Sequence, residues 1–367
     1  MSQTPSPLTS RRFAILLMGA VICLAPRPAH AGSNLRQELA VVADNVSKFL
    51  KAREEDSIAI AEFPGPAQLA ASSGPTIVQI LTEELEKKGV AVKRRSNLSI
   101  EGRYRDAIDA ASKRLAAQIS GQVVDRAGQV LFEFNRGVFG DTTLSELFGV
   151  TAELPAAADD KTRDELLRKQ LDEPQVTLKS SRISASPDSP YAIELLVAAG
   201  NEHRSCQASN DEGMAFVELQ RDQTYAVRLI NDSPHDAAVT LTIDGLGMFS
   251  FSEHKEYRHV IIAAHSQALI KGWHRTNQVS DAFVITEYAK SAAAELKSSA
   301  PTGSITATFA AAWPKGSAPP ADEPKNPSDY ARSGDATGRG PQVSMQYKVV
   351  ERNFGVVRST VSVRYKK

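Results

Sequence analysis

Hydrophobic residues in the first part of the chain recur at helical spacing and then give way to short apolar runs. Residues 33–56 predict an amphipathic helix, because one face collects Leu35, Leu39, Val42, Val46 and Leu50. Residues 57–63, SIAIAEF, are mostly small or branched apolar residues and predict a buried strand. Residues 74–88 predict a second helix, with a proline in the first turn and a glycine directly after the last. This alternation predicts an α/β domain over residues 33–155.

A series of short apolar-rich runs, about ten residues apart, characterises residues 191–313. The runs include YAIELLV, TYAVRLI, AAVTLTID and AFVITEY, and turn sequences such as NDSPHD and DGLG separate them. Several short strands at this spacing are typical of a sandwich or a barrel. We expect an antiparallel β-sandwich domain, interrupted by one helix at residues 289–296.

Three further segments complete the predicted organisation. Residues 156–190 are charged, have no sustained apolar face and end in the proline-containing SASPDSPY, which predicts an inter-domain linker with a short helix at residues 160–171. Residues 314–341 contain few large apolar side chains and predict a disordered loop, because little burial is available to offset the entropy of ordering. Residues 342–367 predict a C-terminal β-hairpin, turning near RNFG and docked on a sheet. The predicted fold class is therefore α+β, an N-terminal α/β domain followed by an antiparallel β-sandwich.

The first thirty-one residues have the layout of a secretory signal peptide. Arg11 and Arg12 precede an apolar run at residues 13–25, and small residues precede a cleavage position after Ala31. The alternative is an N-terminal membrane anchor, but the run is shorter than the roughly twenty residues that span a bilayer. We expect residues 1–31 to be removed and the mature chain to be periplasmic or secreted, with no membrane span after cleavage.

Charge and cysteine content narrow the function classes. Removal of the three arginines within residues 1–31 leaves 40 basic and 43 acidic side chains, a net charge of about −3 with histidine neutral. This balance gives no sign of the basic face that a nucleic-acid partner requires.

Cys206 is the only cysteine of the mature chain, so no disulfide can form within it. Its polar surroundings, HRSCQASNDEG, show no electropositive setting that would favour a reactive thiolate.

The first half carries a resemblance to a known group of domains. SIAIAEFPGP, GPTIVQILTEELEKKGV and ISGQVVDRAGQVLFEF resemble, over residues 55–155, the α/β unit of CsgG-like and TolB-N-terminal-like bacterial envelope assembly proteins. The resemblance implies an envelope location and is compatible with oligomerisation. The chain lacks the lipidated cysteine and the clear membrane hairpin of the pore-forming members, which argues against a secretion pore.

The second half carries a separate resemblance over about residues 190–313. YAVRLINDSPHDAAVTLTIDGL, followed by IKGWHRTNQVSDAFVITEY, is similar to a β-rich module of exported bacterial proteins. The two halves together resemble a family of secreted bacterial proteins of unassigned activity. The resemblance implies a fold and brings no catalytic residue with it.

One cluster invites a hydrolase hypothesis. GWHRTNQVSDAF contains His274, Ser280 and Asp281, but no serine of the chain lies in a G-x-S-x-G elbow. The structural alternative is that Trp273 closes one end of the sandwich. Asn231 and Asp244, at strand ends, are then expected to hydrogen-bond the turning backbone, with Ser280 and Thr286 as strand-edge residues.

Two charged clusters are candidate binding sites. EHKEYRH places Glu253, His254, Glu256 and His259 close together, but positions five apart in a strand face opposite sides, so we predict no metal site. KKGVAVKRR, residues 87–95, contains five basic side chains. They either lie in solvent at the end of a helix or contact an anionic envelope polymer. We predict no catalytic, cofactor-binding or metal-binding residue and no cofactor.

The sequence thus predicts an exported, non-enzymatic binding or scaffolding protein of the bacterial cell envelope, whose partner is an envelope protein or polymer. Two alternatives remain open. One is a hydrolase that uses the region of His274 and Ser280, and the other is an oligomeric envelope assembly factor.

Overall fold

The computed structural model describes residues 35–66, 69, 73–200, 202–254, 257–285, 302–324, 342–344 and 347–366. Over these residues the chain is a mixed α+β protein that consists mostly of sheet, which confirms the predicted class. The predicted signal peptide, the predicted helix at 289–296 and residues 325–341 of the predicted loop lie outside the described residues.

The helices within the described part of the chain all belong to its first half. They are α1 (Leu35–Ala52), α2 (Gly74–Glu86), α3 (Asp141–Phe148) and α4 (Asp160–Asp172). The five apolar residues predicted to share one face of α1 are all buried. Pro75 lies in the first turn of α2, where its missing N–H leaves no hydrogen bond unmade. None of these helices is long and apolar enough to cross a membrane.

The strands divide among three sheets. Those of the first part of the chain are β1 (Ser57–Ile60), β2 (Ala91–Val92), β3 (Leu98–Ile108), β4 (Leu115–Asp125), β5 (Val130–Val138) and β6 (Ala152–Glu153). The middle strands are β7 (Thr177–Lys179), β8 (Arg182–Ser184), β9 (Tyr191–Ala199), β10 (Glu202–Ser205), β11 (Ala208–Asp211), β12 (Met214–Val217), β13 (Thr224–Asn231) and β14 (Asp236–Ile243). The remaining strands are β15 (Leu246–Gly247), β16 (Val260–Ile262), β17 (Ser266–Ile270), β18 (Gly272–His274), β19 (Val279–Val284), β20 (Thr302–Pro314), β21 (Gln342–Ser344) and β22 (Arg352–Lys366).

The first sheet has the strand order β2-β1-β3-β4-β5. β1 is parallel to both β2 and β3, whereas β3, β4 and β5 form an antiparallel meander. Apolar side chains of the sheet and of all four helices form one hydrophobic core, which also takes in Val357 of β22.

The two larger sheets share a second hydrophobic core. One follows β18-β19-β13-β9-β8-β7, with β10, β17 and β21 attached at its sides. The other follows β11-β12-β22-β20-β14-β15, with β16 and β6 attached. Side chains of β9 and β13, from the sheet that begins with β18, pack in this core against side chains of β14, β20 and β22, from the sheet that begins with β11.

The segment predicted as a linker, residues 156–190, differs from the prediction. Its first part forms α4, close to the short helix predicted at residues 160–171, but Leu167 and Leu171 of this helix are buried in the first core. Its second part forms β7 and β8, which extend the sheet of β9 and bury Ile183 in the second core. Most residues of α4 are charged, so its apolar stripe of two leucines is a weak signal in the sequence. Two leucines are nevertheless enough to pack a helix that other elements already surround.

The predicted hairpin of residues 342–367 also differs. In the described part of this segment, β21 pairs with β19, whereas β22 runs as one strand through the predicted turn RNFG. β22 pairs with β20 on one side and with β12 and β6 on the other. Residues 352–354 pair with the end of β20, so RNFG continues the strand, and residues 357–365 are buried.

Buried arginine side chains join the two halves. Arg364 of β22 donates to the carbonyls of Gly149 (2.9 Å) and Leu69 (3.0 Å) and to the Ser362 hydroxyl (2.6 Å). The carbonyls of Phe148 and Gly149 close the carboxyl end of α3, where a cation complements the helix dipole. Burial lowers the pKa of Arg364 to about 10, against a small opposing effect of Tyr104.

A second contact between the halves joins a side-chain hydroxyl to a backbone carbonyl. The hydroxyl of Thr76, in the first turn of α2, donates to the carbonyl of Gly245, at the turn between β14 and β15. Gly245 has a φ of +80°, and a Cβ there would lie 2.7 Å from the Thr76 hydroxyl oxygen. The close approach of the two elements therefore requires glycine at this position.

Replacement of Arg364 by methionine is expected to lower the free energy of unfolding by about 3 kcal/mol, because buried carbonyls of α3 and Leu69 lose their donor. Urea unfolding followed by circular dichroism measures the change. Arg95→Met, at an exposed position, is the control and is expected to change the stability by less than about 0.5 kcal/mol. Equal effects of the two substitutions would show that Arg364 does not join the halves.

Candidate functional site

A cleft of about 760 Å³ lies where the halves meet. Three stretches of chain and one strand form it: residues 153–156 after β6, the turn between β13 and β14 with the start of β9, and residues 313–322 at the end of β20. Arg358 of β22 contributes the charged side chain between them. A volume of this size is within the range of small-molecule and oligomer binding sites.

The first wall is held by β6. Glu153 and Ala152 pair with Ser359 and Thr360 of β22, and the N–H of Leu154 donates to the Arg358 carbonyl at 2.8 Å. Arg163 of α4 donates to the carbonyls of Leu154 (3.3 Å) and Pro155 (2.9 Å). The N–H of Leu154 and the carbonyls of Leu154 and Pro155 are thereby already used within the protein.

The second wall is a turn organised by Asn231. Its side-chain amide donates to the carbonyls of His235 (2.9 Å), Ile262 (3.1 Å) and Ala263 (3.0 Å). Its side-chain oxygen accepts from the N–H (3.1 Å) and the hydroxyl (2.6 Å) of Ser233. The prediction that Asn231 hydrogen-bonds the turning backbone is confirmed.

Two polar side chains of this wall face the cleft as a pair. The hydroxyl of Tyr191, at the start of β9, lies 3.0 Å from His235 Nε2. Stacking on Phe309, with ring centroids 5.1 Å apart, fixes the tyrosine ring. Burial lowers the pKa of His235, with a smaller contribution from the positive charge of Arg358. His235 is therefore neutral at pH 7 and both donates and accepts hydrogen bonds.

The third wall follows β20 and is anchored by two acidic residues. Asp322 accepts from both terminal nitrogens of Arg358, at 2.6 and 2.9 Å, and Glu323 accepts from one of them at 2.9 Å. The buried Glu323 carboxylate also accepts from the N–H of Val356. These contacts attach the first residues of the segment predicted as a disordered loop, 314–341, to β22, because ion pairs supply the ordering energy that apolar burial does not.

Some charged atoms of the cleft have hydrogen-bond partners, whereas others have none. Hydrogen bonds from Arg358 lower the pKa of the Asp322 carboxyl. Burial raises the pKa of Glu153, and the hydroxyls of Ser189 and Ser359 oppose that rise. Within the described part of the chain, Glu153 Oε2 and Arg358 Nε are buried and have no hydrogen-bond partner. An acceptor and a donor at the same cleft thus lack partners, which is uncommon for buried polar atoms.

The rest of the lining is apolar and rigid. Trp313 is half-buried, and five prolines line the cleft, at positions 155, 190, 234, 319 and 320. Proline has no N–H and a fixed φ, so these walls offer shape and apolar surface but few backbone donors. The Ser233 hydroxyl, a potential nucleophile, donates to Asn231 Oδ1 within the turn. The arrangement can hold a ligand, and no activated nucleophile is present among its described lining residues.

The structure places the residues of the hydrolase hypothesis elsewhere. His274 and Ser280 lie opposite each other on β18 and β19. The ring nitrogens of His274 contact other groups: Nδ1 lies 2.9 Å from the Ser252 hydroxyl, and Nε2 lies 3.3 Å from Asn277 Oδ1. Ser252, His274 and Ser280 are each at most 1 % exposed. Burial is the main cause of a lowered pKa of His274.

The neighbours of these residues are aromatic or paired. Trp273 is buried and meets Phe251 and Phe283 edge-on, with centroids 4.7 and 5.2 Å apart. Asp281 forms an ion pair with Arg275 at 3.1 Å. The packing of Trp273 agrees with the predicted structural role, and Thr286 lies outside the described residues.

The other sequence candidates do not converge. Cys206 is half-buried, and burial raises the pKa of its thiol, which disfavours the reactive thiolate.

His254 stacks on Tyr257, with centroids 4.6 Å apart, whereas His259 Nδ1 lies 3.1 Å from the Thr240 hydroxyl. Glu256 lies outside the described residues, and the residues that are described contain no cluster of three metal-ligating side chains. Asp244 accepts from the N–H of Ser304 at 3.0 Å and from the Tyr365 hydroxyl at 2.9 Å, so these two contacts join it to β20 and β22 and not to the turning backbone.

The basic residues between 87 and 95 are partly neutralised. Lys87 pairs with Glu84 and Lys88 with Asp44, each at 2.8 Å, and Lys93 lies 3.8 Å from Asp56. Such exposed pairs contribute little to stability, but they reduce the field that would attract a polyanion.

Comparison of the chain with protein-family models, curated proteins and solved structures finds no match in any of the three.

Sequence reasoning missed the cleft because no local pattern marks it. Glu153, Tyr191 and Arg358 lie in different strands, far apart in sequence. The only local signals are the turn NDSPHD and the prolines around Trp313, and both also fit ordinary loops.

His259 predicts a loss of stability in acid. Burial, with the charge of Arg258 as a smaller cause, lowers its pKa to about 4, whereas the unfolded value is about 6.5. The unfolded chain binds the proton more readily, so the stability gained from a neutral His259 is complete above pH 6.5 and falls towards pH 4, by at most about 3 kcal/mol. Urea unfolding of the parent and of His259→Gln between pH 7 and pH 4 measures this. The variant should lack that part of the decline, and parallel curves would contradict the assignment.

Proposed function

We propose that the chain is an exported, non-enzymatic binding protein of the bacterial cell envelope, and that the cleft between its halves is the ligand site. The observation that carries the proposal is a mostly apolar cleft of about 760 Å³ that is lined by a few polar side chains, among them Glu153, Arg358 and the Tyr191–His235 pair. Rigid apolar walls with a few convergent polar groups are typical of binding sites.

The proposal includes a finer architecture, an N-terminal α/β domain over residues 33–155 followed by a β-sandwich over 191–313. Support for the first is the sheet of β1 to β5 with α1 and α2 in one core. Support for the second is the core shared by the two larger sheets. The order of helix, strand and hairpin also supports a relationship to CsgG-like and TolB-N-terminal-like domains, and with it the envelope location.

A hydrolase is the weaker candidate. Ser252, His274 and Asn277 form a chain of hydrogen bonds with the residue types of a nucleophile, a base and an orienting group. Ser252 and His274 are buried, however, and the Ser252 hydroxyl also accepts from the N–H of His254 at 2.9 Å. A substrate has no route to that hydroxyl without local unfolding, so this network supports a structural role. The oligomeric assembly factor remains an alternative that the mass in solution tests.

Export predicts a defined mature protein. Expression of the full chain in a Gram-negative host should give a periplasmic or secreted product that begins at Gly32. Intact-mass spectrometry and fractionation measure this, with Arg11→Glu/Arg12→Glu as the control that blocks export. A full-length product in the cytoplasm would contradict the proposed location.

Binding predicts that blocking the cleft abolishes retention on envelope material. Ala318 is exposed and lines the cleft, so Ala318→Trp is expected to fill it without removing a contact. Retention of the mature chain on washed envelope fragments should fall by about tenfold, which corresponds to about 1.4 kcal/mol. Lys315→Ala, on the same segment but outside the lining, is the matched control and should bind as the parent does.

Thermal unfolding of all three proteins shows that each is folded. If Ala318→Trp binds envelope material as well as Lys315→Ala does, or if the parent does not bind, the cleft is not the ligand site.

A further inference from the structure

We infer that the cleft binds a neutral carbohydrate through sugar hydroxyls. The inference rests on the proposed binding function and names the chemical class of its ligand. It follows from the types of polar atom that lack partners, from the walls around them and from the charges nearby.

The unsatisfied atoms require a ligand that both donates and accepts. Glu153 Oε2 can only accept while the carboxyl is ionised, and Arg358 Nε can only donate. The Tyr191–His235 pair, 3.0 Å apart, adds a further hydroxyl and an imidazole at the same cleft. A sugar hydroxyl has one donor and two acceptor positions, so neighbouring hydroxyls can pair with both the donors and the acceptors that line the cleft.

The apolar lining suits the other surface of a sugar. A pyranose ring has a face of C–H groups, and the half-buried Trp313 offers an aromatic face against which such groups can pack. The prolines at 319 and 320 continue that apolar surface without offering backbone donors. An open cleft of about 760 Å³ accommodates several linked sugar units.

The same walls disfavour a peptide. An extended peptide is recognised mainly by backbone hydrogen bonds to a free strand edge. At the first wall the carbonyls of Leu154 and Pro155 already accept from Arg163, and the Leu154 N–H already donates to Arg358. An anionic ligand is disfavoured as well, because Asp322 and Glu323 neutralise Arg358.

Isothermal titration calorimetry with four neutral trisaccharides tests the inference. Maltotriose, cellotriose, mannotriose and triacetylchitotriose are titrated into the mature chain, into Ala318→Trp and into Lys315→Ala. At least one is expected to bind the parent and Lys315→Ala with a Kd below about 10 mM and to bind Ala318→Trp at least about tenfold more weakly.

A second variant tests the proposed chemistry. Glu153→Gln keeps the size of the side chain but replaces the carboxylate acceptor by an amide, so it should weaken binding several-fold without altering the thermal unfolding of the protein. Equal affinity of Glu153→Gln and the parent would remove Glu153 from the site and overturn the inference.

Two results separate the failure of this inference from that of the proposed function. If no trisaccharide binds at about 10 mM while envelope retention still depends on Ala318→Trp, the carbohydrate inference is wrong and the binding function stands. If a polyproline peptide binds in the cleft instead, the ligand is a peptide and the inference is also wrong.

Discussion

β22 is the strand on which the rest of the structure depends. It pairs with β20 along most of its length and with β12 and β6 on its other side, and its side chains reach both hydrophobic cores. Arg364 and Arg358 project from it as buried cations. Removing a guanidinium from water costs several kcal/mol unless its donors are satisfied. Carbonyls at the end of α3 accept from Arg364, and two carboxylates accept from the terminal nitrogens of Arg358, so each cation fixes a neighbouring element in place.

The cleft is a consequence of this arrangement. Its walls come from β6, from the turn after β13 and from the segment after β20, and each wall is attached to β22 or to a strand of the same core. Because the walls are held by hydrogen bonds and prolines, little conformational entropy remains to be lost when a ligand binds. The groups that remain unsatisfied there are a carboxylate oxygen and a guanidinium nitrogen, neither of which is an activated nucleophile.

Much of the fold could be predicted from sequence where one pattern dominated. The apolar face of α1 and the strands β9, β13 and β14 carry strong periodicity, and the hydrogen bonds of Asn231 follow from its place at a strand end. Prediction failed where burial came from the surroundings. Leu167 and Leu171 are a weak stripe in a charged helix, and they are buried because α3 and β4 already lie beside α4.

The C-terminal strand and the site escaped prediction for a related reason. β22 contains arginine, serine and threonine that are buried by long-range partners, so its residues look like those of an exposed hairpin. Glu153 and Arg358 come close together only because β6 and β22 pair, and no local spacing in the sequence predicts that pairing.

Native-state hydrogen exchange tests most directly whether β22 unites the two halves. The account predicts that the slowest amides of β4, in the first core, and of β20 and β22, in the second, exchange with the same free energy of opening, equal to that of global unfolding. Opening of β4 at a free energy several kcal/mol below that of β20 would contradict it, because the halves would then unfold separately and the cleft between them would not be a preformed site.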